Sequence, residues 1–572
     1  MIKNNVFSLK IGGAAGQGIK SAGVLFARVA SKSGYNIYNY IEYPSIIRGG
    51  HNVIQVNISN SEVTGPSSKC DFLIALNQDT IDRHLNELTE NAGILFDTDD
   101  KLDTAKVPPH VNIFSIPLSK LAKEAEGKDI LSNTVSLGAL VCILGGDLEI
   151  LNTLIVEEYG DKGEKILASD KKAALLGYEF VQKNYSDKTK DLLKPIKAKP
   201  KMVLNGNQAV ALGSISAGMQ FAAIYPMSPI SGILQELAEH EKEFNYIYKQ
   251  PEDEISGINM AIGASFAGAR SMVATSGGGF ALMTEGYGLA GMTETPVVII
   301  EGMRSAPATG VPTWSEQGDL RQVLHGHQGD FPKIVLAAGD LTEAFYLTMT
   351  AFNLADIYQT SVVLLVDKNI CENDQTVPMF DTSNYKIERG SFTKEKVDNY
   401  ARFALSDNGV SLRAIPGSGN YFIANSDEHD EIGFSSEEIE NRNNQMRKRM
   451  KKLQSAEKDM PFYSFYGPEN AEITIVSWGS NKGSILQALK EFDNVNYLHI
   501  TGMNPFPTDQ IVNVLGKSKY TLLMECNYTS QLGGLIREKT GIDILDKYLK
   551  YDGRPIFVEE IVNKINEIFQ NK

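Results

Sequence analysis

Tyr225-Pro226-Met227-Ser228-Pro229-Ile230-Ser231, Thr275-Ser276-Gly277-Gly278-Gly279 and Arg304-Ser305-Ala306-Pro307-Ala308-Thr309-Gly310-Val311-Pro312-Thr313 mark the stretch around which this chain is organised, residues 225–320. Each is a polar loop rich in Gly, Pro, Ser and Thr, and apolar segments separate them. Ser271-Met272-Val273-Ala274 has the length of a short strand. Pro296-Val297-Val298-Ile299-Ile300 and Ser361-Val362-Val363-Leu364-Leu365-Val366-Asp367 are continuous apolar runs, typical of parallel strands covered on both faces. Strands alternating with helices predict a doubly wound α/β sheet, with functional groups on loops beyond the strand carboxyl ends. Residues 301–313 lie just past one such end.

Working toward the N-terminus, residues 207–221 are small and apolar and predict a closely packing helix. Before them, Lys194-Pro195-Ile196-Lys197-Ala198-Lys199-Pro200-Lys201 reads as a linker that cannot continue a helix. Residues 6–11 alternate like a strand and feed Gly12-Gly13-Ala14-Ala15-Gly16-Gln17-Gly18-Ile19-Lys20-Ser21, after which residues 22–33 show helical spacing. Strand, glycine turn and helix make an anion-binding arrangement. A Walker loop requires Lys directly after its second Gly, and Ile19 intervenes here. GxGxxG fits only with Ala15 in the middle. Two readings stand: a phosphate-bearing ligand at the loop, or a tight turn whose glycines allow close packing. Residues 71–76, 93–97 and 111–114 read as further strands, and residues 133–145 as a glycine-containing helix.

Toward the C-terminus, residues 376–468 are polar and poor in long apolar runs. Within them, residues 435–452 suit a solvent-facing helix. A third α/β unit starts at Glu472-Ile473-Thr474-Ile475-Val476-Ser477-Trp478-Gly479-Ser480, continues through a helix at 482–492, and has strands at 495–500 and 520–525.

A chain of 572 residues exceeds one core, and its 42% hydrophobic and 22% charged content is ordinary for a globular protein. The net charge of −15 argues against nucleic acid and anionic membrane as partners. Cys70, Cys142, Cys371 and Cys526 form no CxxC, so neither an iron–sulfur cluster nor a structural zinc is expected from this chain alone. No signal-peptide core and no apolar run of about 20 residues is visible, so the expected location is cytoplasmic.

Taken in order, these motifs resemble the 2-oxoacid:ferredoxin oxidoreductases, specifically a fused gamma–alpha subunit. Gly13 to Gly18 with Arg48-Gly49-Gly50 resembles the gamma domain's GxGGQG and RGG signatures. Residues 207–229 resemble the entrance to the alpha pyrimidine domain, whose YPITPSS reads Tyr225 to Ser231 here. The family's TSGPG reads Thr275 to Gly279, and its RGGPSTGLPT reads Arg304 to Thr313 with Ser305 and Ala306 in place of two glycines. Trp478-Gly479-Ser480, Pro505-Phe506-Pro507 and Glu525 to Leu532 resemble the transketolase C-terminal-like domain. The implied architecture is multidomain: a gamma-type α/β domain (1–190), a linker (191–203), a thiamine-enzyme pyrimidine-binding domain (204–375), a connecting segment (376–468) and a transketolase C-terminal-like domain (469–572).

The resemblance implies oxidative decarboxylation of a 2-oxoacid, 2-oxoglutarate favoured, with coenzyme A to acyl-CoA and CO2, and electrons passed to ferredoxin. It implies thiamine diphosphate with Mg. No GDG…N segment occurs here, so the diphosphate and the iron–sulfur cluster are expected on a beta subunit. By family position Glu254 is the catalytic carboxylate for the aminopyrimidine ring. As a reading of the residues alone, Glu254 is more simply a helix-start acid favoured by the dipole. Ser228, Arg304 and Thr313 are the implied substrate-binding residues. Tyr225 and Pro226 are implied on the thiamine side, and Gly13, Gly16, Gly18 and Arg48 on a coenzyme A loop. A non-redox thiamine-dependent carboligase or decarboxylase subunit, or a non-catalytic scaffold, are the alternatives.

Overall fold

The structure, a computed structural model, describes residues 6–46, 49–126 and 131–571. It falls into two compact units. The first comprises Met1–Leu204, Asn373–Met379 and Ile556–Lys572; the second comprises Asn205–Glu372 and Phe380–Pro555.

Seven strands of the first unit are β1 (Phe7–Ala15), β2 (Asn36–Glu42), β3 (Gly49–Ser59), β4 (Cys70–Ala75), β5 (Leu88–Asp97), β6 (Asn112–Ile116) and β7 (Lys201–Leu204). Among the described residues the sheet order is β6-β5-β4-β1-β3-β2, then Gln375–Pro378, then β7. The half from β1 to β6 is parallel, while β3 runs antiparallel to both β1 and β2. A strand from far along the chain therefore covers the edge of β2, where Asn39 donates its N–H to Asp374 O at 2.8 Å and Ile37 donates its N–H to Thr376 Oγ1 at 3.0 Å. The helix Val558–Gln570 belongs to the same unit: Glu559 accepts from Ser67 Oγ at 2.6 Å and Ser68 N at 2.8 Å. The predicted glycine-containing helix is Ser132–Ile143. It crosses Glu164–Asn184 so closely that a Cβ on Gly138 would sit 1.9 Å from Ala174 O, and one on Gly177 would sit 2.0 Å from Val135 O. Only glycine permits backbones to approach this far.

In the second unit the strands are β8 (Phe221–Ala223), β9 (Ile247–Lys249), β10 (Ser271–Thr275), β11 (Val297–Met303), β12 (Lys333–Ala337) and β13 (Ser361–Asp367). The order is Gly502–Asn504, then β12-β13-β11-β10-β8-β9. Every residue of β10, β11, β12 and β13 is buried, as a parallel sheet with both faces covered requires. The helix expected at 207–221 is Gly206–Ser216, started by an Asn205–Gln208 capping box. It stops early because Gly218, at φ 74, turns the chain: the amides of Gly218 and Met219 close on Ile215 O and Ser214 O. The remaining residues of 207–221 then enter β8.

A second sheet of this unit has the order Tyr463–Tyr466, Val495–Ile500, Ile473–Trp478, Thr521–Glu525, Asp546–Leu549. It is parallel apart from its first strand. Val476, Trp478, Leu498 and Leu523 share one apolar core with β10–β13. Gln317 pins the two sheets together. Its Nε2 donates to Trp478 O at 3.0 Å, its Oε1 accepts from Asn481 Nδ2 at 2.9 Å and from Cys526 N at 3.0 Å, and its own amide donates to Cys526 O at 2.7 Å.

The charged stretch expected to form a solvent-facing helix is the helix Ile439–Ala456, and it does not face solvent throughout. Gln445, Lys448, Arg449 and Lys452 are buried. The reason is electrostatic. Glu294, wholly buried and itself left-handed at φ 51, accepts from Lys448 Nζ at 2.6 Å and pairs with Lys452 Nζ at 2.5 Å. Burial alone would raise its pKa, but the two lysines and Arg402 outweigh that and hold the carboxylate ionised, far below its usual range. Likewise Arg270, Arg389 and Arg413 converge on buried Asp356 at 3.2, 2.9 and 2.9 Å. All four cysteines are buried thiols outside any disulfide. Among the described residues no helix is long and apolar enough to cross a membrane, and no group of three or more His, Cys, Asp or Glu could hold a metal ion.

Candidate active site

A cleft of about 610 Å³ opens in the second unit beyond the carboxyl ends of β10 and β11, where a doubly wound sheet places its ligands. One wall is the start of the helix Gly277–Met292, with Ser276, Gly277 and Gly278. A second wall carries Arg304, Ala306, Pro307, Glu316 and Asp319. The third comes from the other sheet: Asn527, Tyr528, Thr529 and Gln531. Asn527 is held by Glu525 Oε2 at 2.8 Å and Gln317 O at 3.2 Å.

Arg304 leaves β11 just past its last residue, and its Nη1 donates to the backbone carbonyl of Ser228 at 2.8 Å. Gly302 allows that loop to dock, since a Cβ there would meet Ile230 Cγ2 at 2.4 Å. The link from Ser228 to Arg304 therefore runs through the carbonyl. The loop after Arg304 folds on itself: Val311 donates its N–H to Ser305 O at 3.2 Å, Ser305 donates its N–H to Trp314 O at 3.1 Å, and Ser305 Oγ donates to Glu316 Oε2 at 2.7 Å. Thr313 is buried under this loop and does not line the cleft, whereas Ala306, beside Ser305, does.

Glu254 is the first residue of the helix Glu254–Phe266. Capping is done by Asp253, whose Oδ1 accepts from Ser256 N at 2.8 Å, so Glu254 is not needed as a cap. Its side chain is 2% exposed, and Oε1 has no hydrogen-bond partner. The segment Thr275 to Gly279 stands against it: a Cβ on Gly279 would fall 2.4 Å from Glu254 Oε1 and 2.0 Å from Thr275 Oγ1. Gly279 thus leaves the carboxylate its room, one residue from Gly278, which lines the cleft. A buried carboxylate with an idle oxygen is costly until a donor reaches it. Tyr225, half-buried, and exposed Pro226 follow β8 at the same sheet edge.

Two acids here escaped the sequence reading. Asp319 lines the cleft, and burial pushes its pKa up to about 6. Glu301, on β11 and 0% exposed, lies beside it, and burial followed by the fields of Asp319 and Asp367 lifts its carboxyl well above the usual range. Glu301 follows an apolar run and Asp319 sits in the polar run Glu316-Gln317-Gly318-Asp319, so only the second left a visible trace.

In the first unit a smaller cleft, about 330 Å³, lies at the carboxyl ends of β4 and β5 and is lined by Gly16, Gln17, Asp97, Asp100, Ser119 and Asn133. Gly16 has φ 91 and Gly18 φ 71. Gln17 closes the loop on itself, its Oε1 accepting from Ala14 N at 2.6 Å in the space a side chain on Gly13 would need. Arg48 lies outside the described residues.

Residues 212–448 match the family described as "Pyruvate flavodoxin/ferredoxin oxidoreductase, thiamine diP-bdg", and residues 8–180 match "Pyruvate ferredoxin/flavodoxin oxidoreductase". The alpha subunit of a 2-oxoacid:ferredoxin oxidoreductase from Sulfolobus sp is 32% identical over 98% of this chain and 96% of its own length. The 2-oxoglutarate oxidoreductase subunit KorA of Mycobacterium tuberculosis is 28% identical over 97% of this chain and 90% of its own. A solved structure, the 2-oxoglutarate:ferredoxin oxidoreductase from Magnetococcus marinus with 2-oxoglutarate, coenzyme A and succinyl-CoA bound, superposes with a TM-score of 0.92 at 30% identity, covering 99% of both chains. The chain belongs to the 2-oxoacid:ferredoxin oxidoreductases, among their alpha subunits. It is thus a subunit of an oxidoreductase that works as a multi-subunit complex.

Proposed function

We propose that this chain supplies the pyrimidine side of a shared thiamine diphosphate site and, with a beta subunit, oxidatively decarboxylates 2-oxoglutarate with coenzyme A, passing electrons to ferredoxin. The observation that carries this reading is buried Glu254 Oε1, unpartnered and given its room by Gly279. Thiamine diphosphate, when bound, supplies the carbon nucleophile and electron sink that decarboxylation needs. Glu254 would accept a hydrogen bond from its pyrimidine ring, holding the tautomer in place, and Tyr225 and Pro226 would flank it. The diphosphate, its Mg and the iron–sulfur cluster are assigned to the beta subunit.

Arg304 is the cation for the substrate's carboxylate. Its guanidinium suits planar, charge-assisted pairing. Ser228 and Thr313 are assigned to shaping the pocket around it. 2-Oxoglutarate is favoured by the Mycobacterium and Magnetococcus relatives. The turn from Gly16 to Gly18, with Gly13 behind it and Lys20 exposed beside it, is assigned to coenzyme A phosphates; Asp97 and Asp100 disfavour phosphate on their side of that cleft.

The test is anaerobic co-expression with the beta chain, followed by coenzyme A-dependent viologen reduction with a panel of 2-oxoacids. Activity that needs both chains, is greatest with 2-oxoglutarate, and collapses in Glu254→Gln and Arg304→Ala while the complex still assembles is the expected result. A complex with bound thiamine diphosphate that reduces no dye with any oxoacid overturns the reading.

A further inference from the structure

Lys333 opens β12, and its backbone carbonyl accepts from Asn504 Nδ2 at 2.6 Å. β12 runs parallel to β13, and β13 parallel to β11, so Lys333 stands at the amino end of the sheet, away from the cleft beyond the carboxyl ends. The residue is 7% exposed. Among the described residues its ammonium meets neither a carboxylate nor a hydrogen-bond acceptor; its partners are rings. Nζ lies 4.7 Å from the centroid of Phe331 and 5.9 Å from that of Tyr287. These two rings meet edge to face at 5.0 Å, and His327 completes the group, 4.4 Å from Phe331 and 6.1 Å from Tyr287. The Tyr287 hydroxyl is buried and has no partner.

The other described lysines buried to this degree are Lys10, Lys368, Lys448, Lys452, Lys482 and Lys550, and each has a carboxylate within 4.0 Å. Lys333 differs from all of them. Ring faces attract an ammonium but cannot take the place of a counter-charge. Burial opposes the charged form, and its pKa is pulled down to about 8. A desolvated lysine of this kind yields the free amine readily, and the free amine is a nucleophile.

We propose that Lys333 is a modification site, acylated at Nζ by small acyl thioesters without help from another enzyme. The Nζ lone pair attacks the thioester carbonyl carbon. The N–C bond forms as the C–S bond breaks, and the sulfur leaves with its electron pair and takes up the proton the amine sheds. A buried ammonium without an anion is exchanged for a neutral amide. The amide removes the cost of the buried charge, and its carbonyl is an acceptor of the kind the Tyr287 hydroxyl lacks. Acyl-CoA is the product assigned to the complex above, so this natural source of thioester rests on that reading; the reactivity of Lys333 does not.

The experiment incubates the purified complex with acetyl-CoA at about pH 8, the Lys333 value, and follows acetylation of each lysine by mass spectrometry of proteolytic peptides. Exposed Lys199 is the internal reference. Lys333 is expected to acetylate about ten-fold faster than Lys199 or more, because far more of it is free amine at that pH. Thermal unfolding of the acetylated complex should show Tm raised toward that of Lys333→Met, since both changes remove the same uncompensated charge. Lys333→Arg, always charged, should lose the fast-reacting site and leave the other lysines and viologen reduction unchanged. Should Lys333→Arg fail to assemble, the comparison within the wild-type complex decides alone. Acetylation of Lys333 no faster than that of Lys199 overturns the proposal. So does fast acetylation without a rise in Tm, which would show that the lone buried charge is not what makes the site reactive. Neither result bears on Glu254 or Arg304. A complex that reduces no dye yet acetylates Lys333 upholds the site and removes only its assigned source of thioester.

Discussion

Replacing Gly279 with alanine would put a methyl carbon 2.4 Å from Glu254 Oε1 and 2.0 Å from Thr275 Oγ1. Comfortable separation is about 3.5 Å, so the carboxylate must retreat by roughly 1 Å or the helix start must shift by as much. Misplacement of a positioned group by that distance can cost about 10²-fold in rate, whereas overpacking costs about 1–3 kcal/mol of stability. Gly279→Ala is therefore expected to lower kcat by about 10²-fold while the complex assembles and still binds 2-oxoglutarate. Gly263→Ala is the matched control: it lies on the same helix as Glu254, and its Cβ would meet nothing within 4 Å. Its activity should be unchanged and its stability higher by roughly 0.5–1 kcal/mol, the usual helical preference for alanine. The assay is viologen reduction alongside thermal unfolding. Wild-type kcat in Gly279→Ala would show that the position of the Glu254 carboxylate does not limit the chemistry.

Glu294→Ala leaves Lys448 and Lys452 buried without their anion and is expected to cost about 3–5 kcal/mol in urea unfolding; adding Lys448→Met and Lys452→Met should recover much of it. Gly138→Ala drives a methyl into Ala174 O and should cost at least about 1–3 kcal/mol. Hydrogen exchange would show that loss in the crossing of Ser132–Ile143 with Glu164–Asn184 and not around β11. Lys333 is pulled by burial from its ordinary 10.5 down to about 8. Between those values the unfolded chain holds a proton that the folded chain lacks, so stability rises with pH across that window. Lys333→Met should raise Tm at pH 7, and its advantage should shrink by pH 10; an advantage constant across that range would refute the assignment.

The parallel core announced itself because Val297 to Ile300 and Val362 to Val366 are apolar without interruption, and only a strand covered on both faces requires that. The loops after β8, β10 and β11 were legible for the complementary reason, as Gly, Pro and Ser cluster where an apolar run stops. Less visible was how far apart in sequence the partners lie. Nothing local to Gln375–Pro378 says that it pairs with β2 and β7, because hydrogen-bonding a backbone edge demands no particular side chain. Lys448 and Lys452 read as solvent-facing since their anion, Glu294, is about 150 residues away, and a buried charge is tolerated only where its counter-charge is met.

The make-up of the first unit from three separated pieces sets an order of events during synthesis. When residue 204 has left the ribosome, β2 still lacks the strand that covers its edge. That strand is about 170 residues further on, on the order of ten to thirty seconds later at ordinary rates of translation. Ser67 and Ser68 wait longer still for Glu559. Throughout that interval an open strand edge faces the crowded cell, a template for pairing with any other nascent chain. Production of this protein is thus exposed to translation speed and to chaperone supply early in the chain, well before the cleft that carries the chemistry has been made.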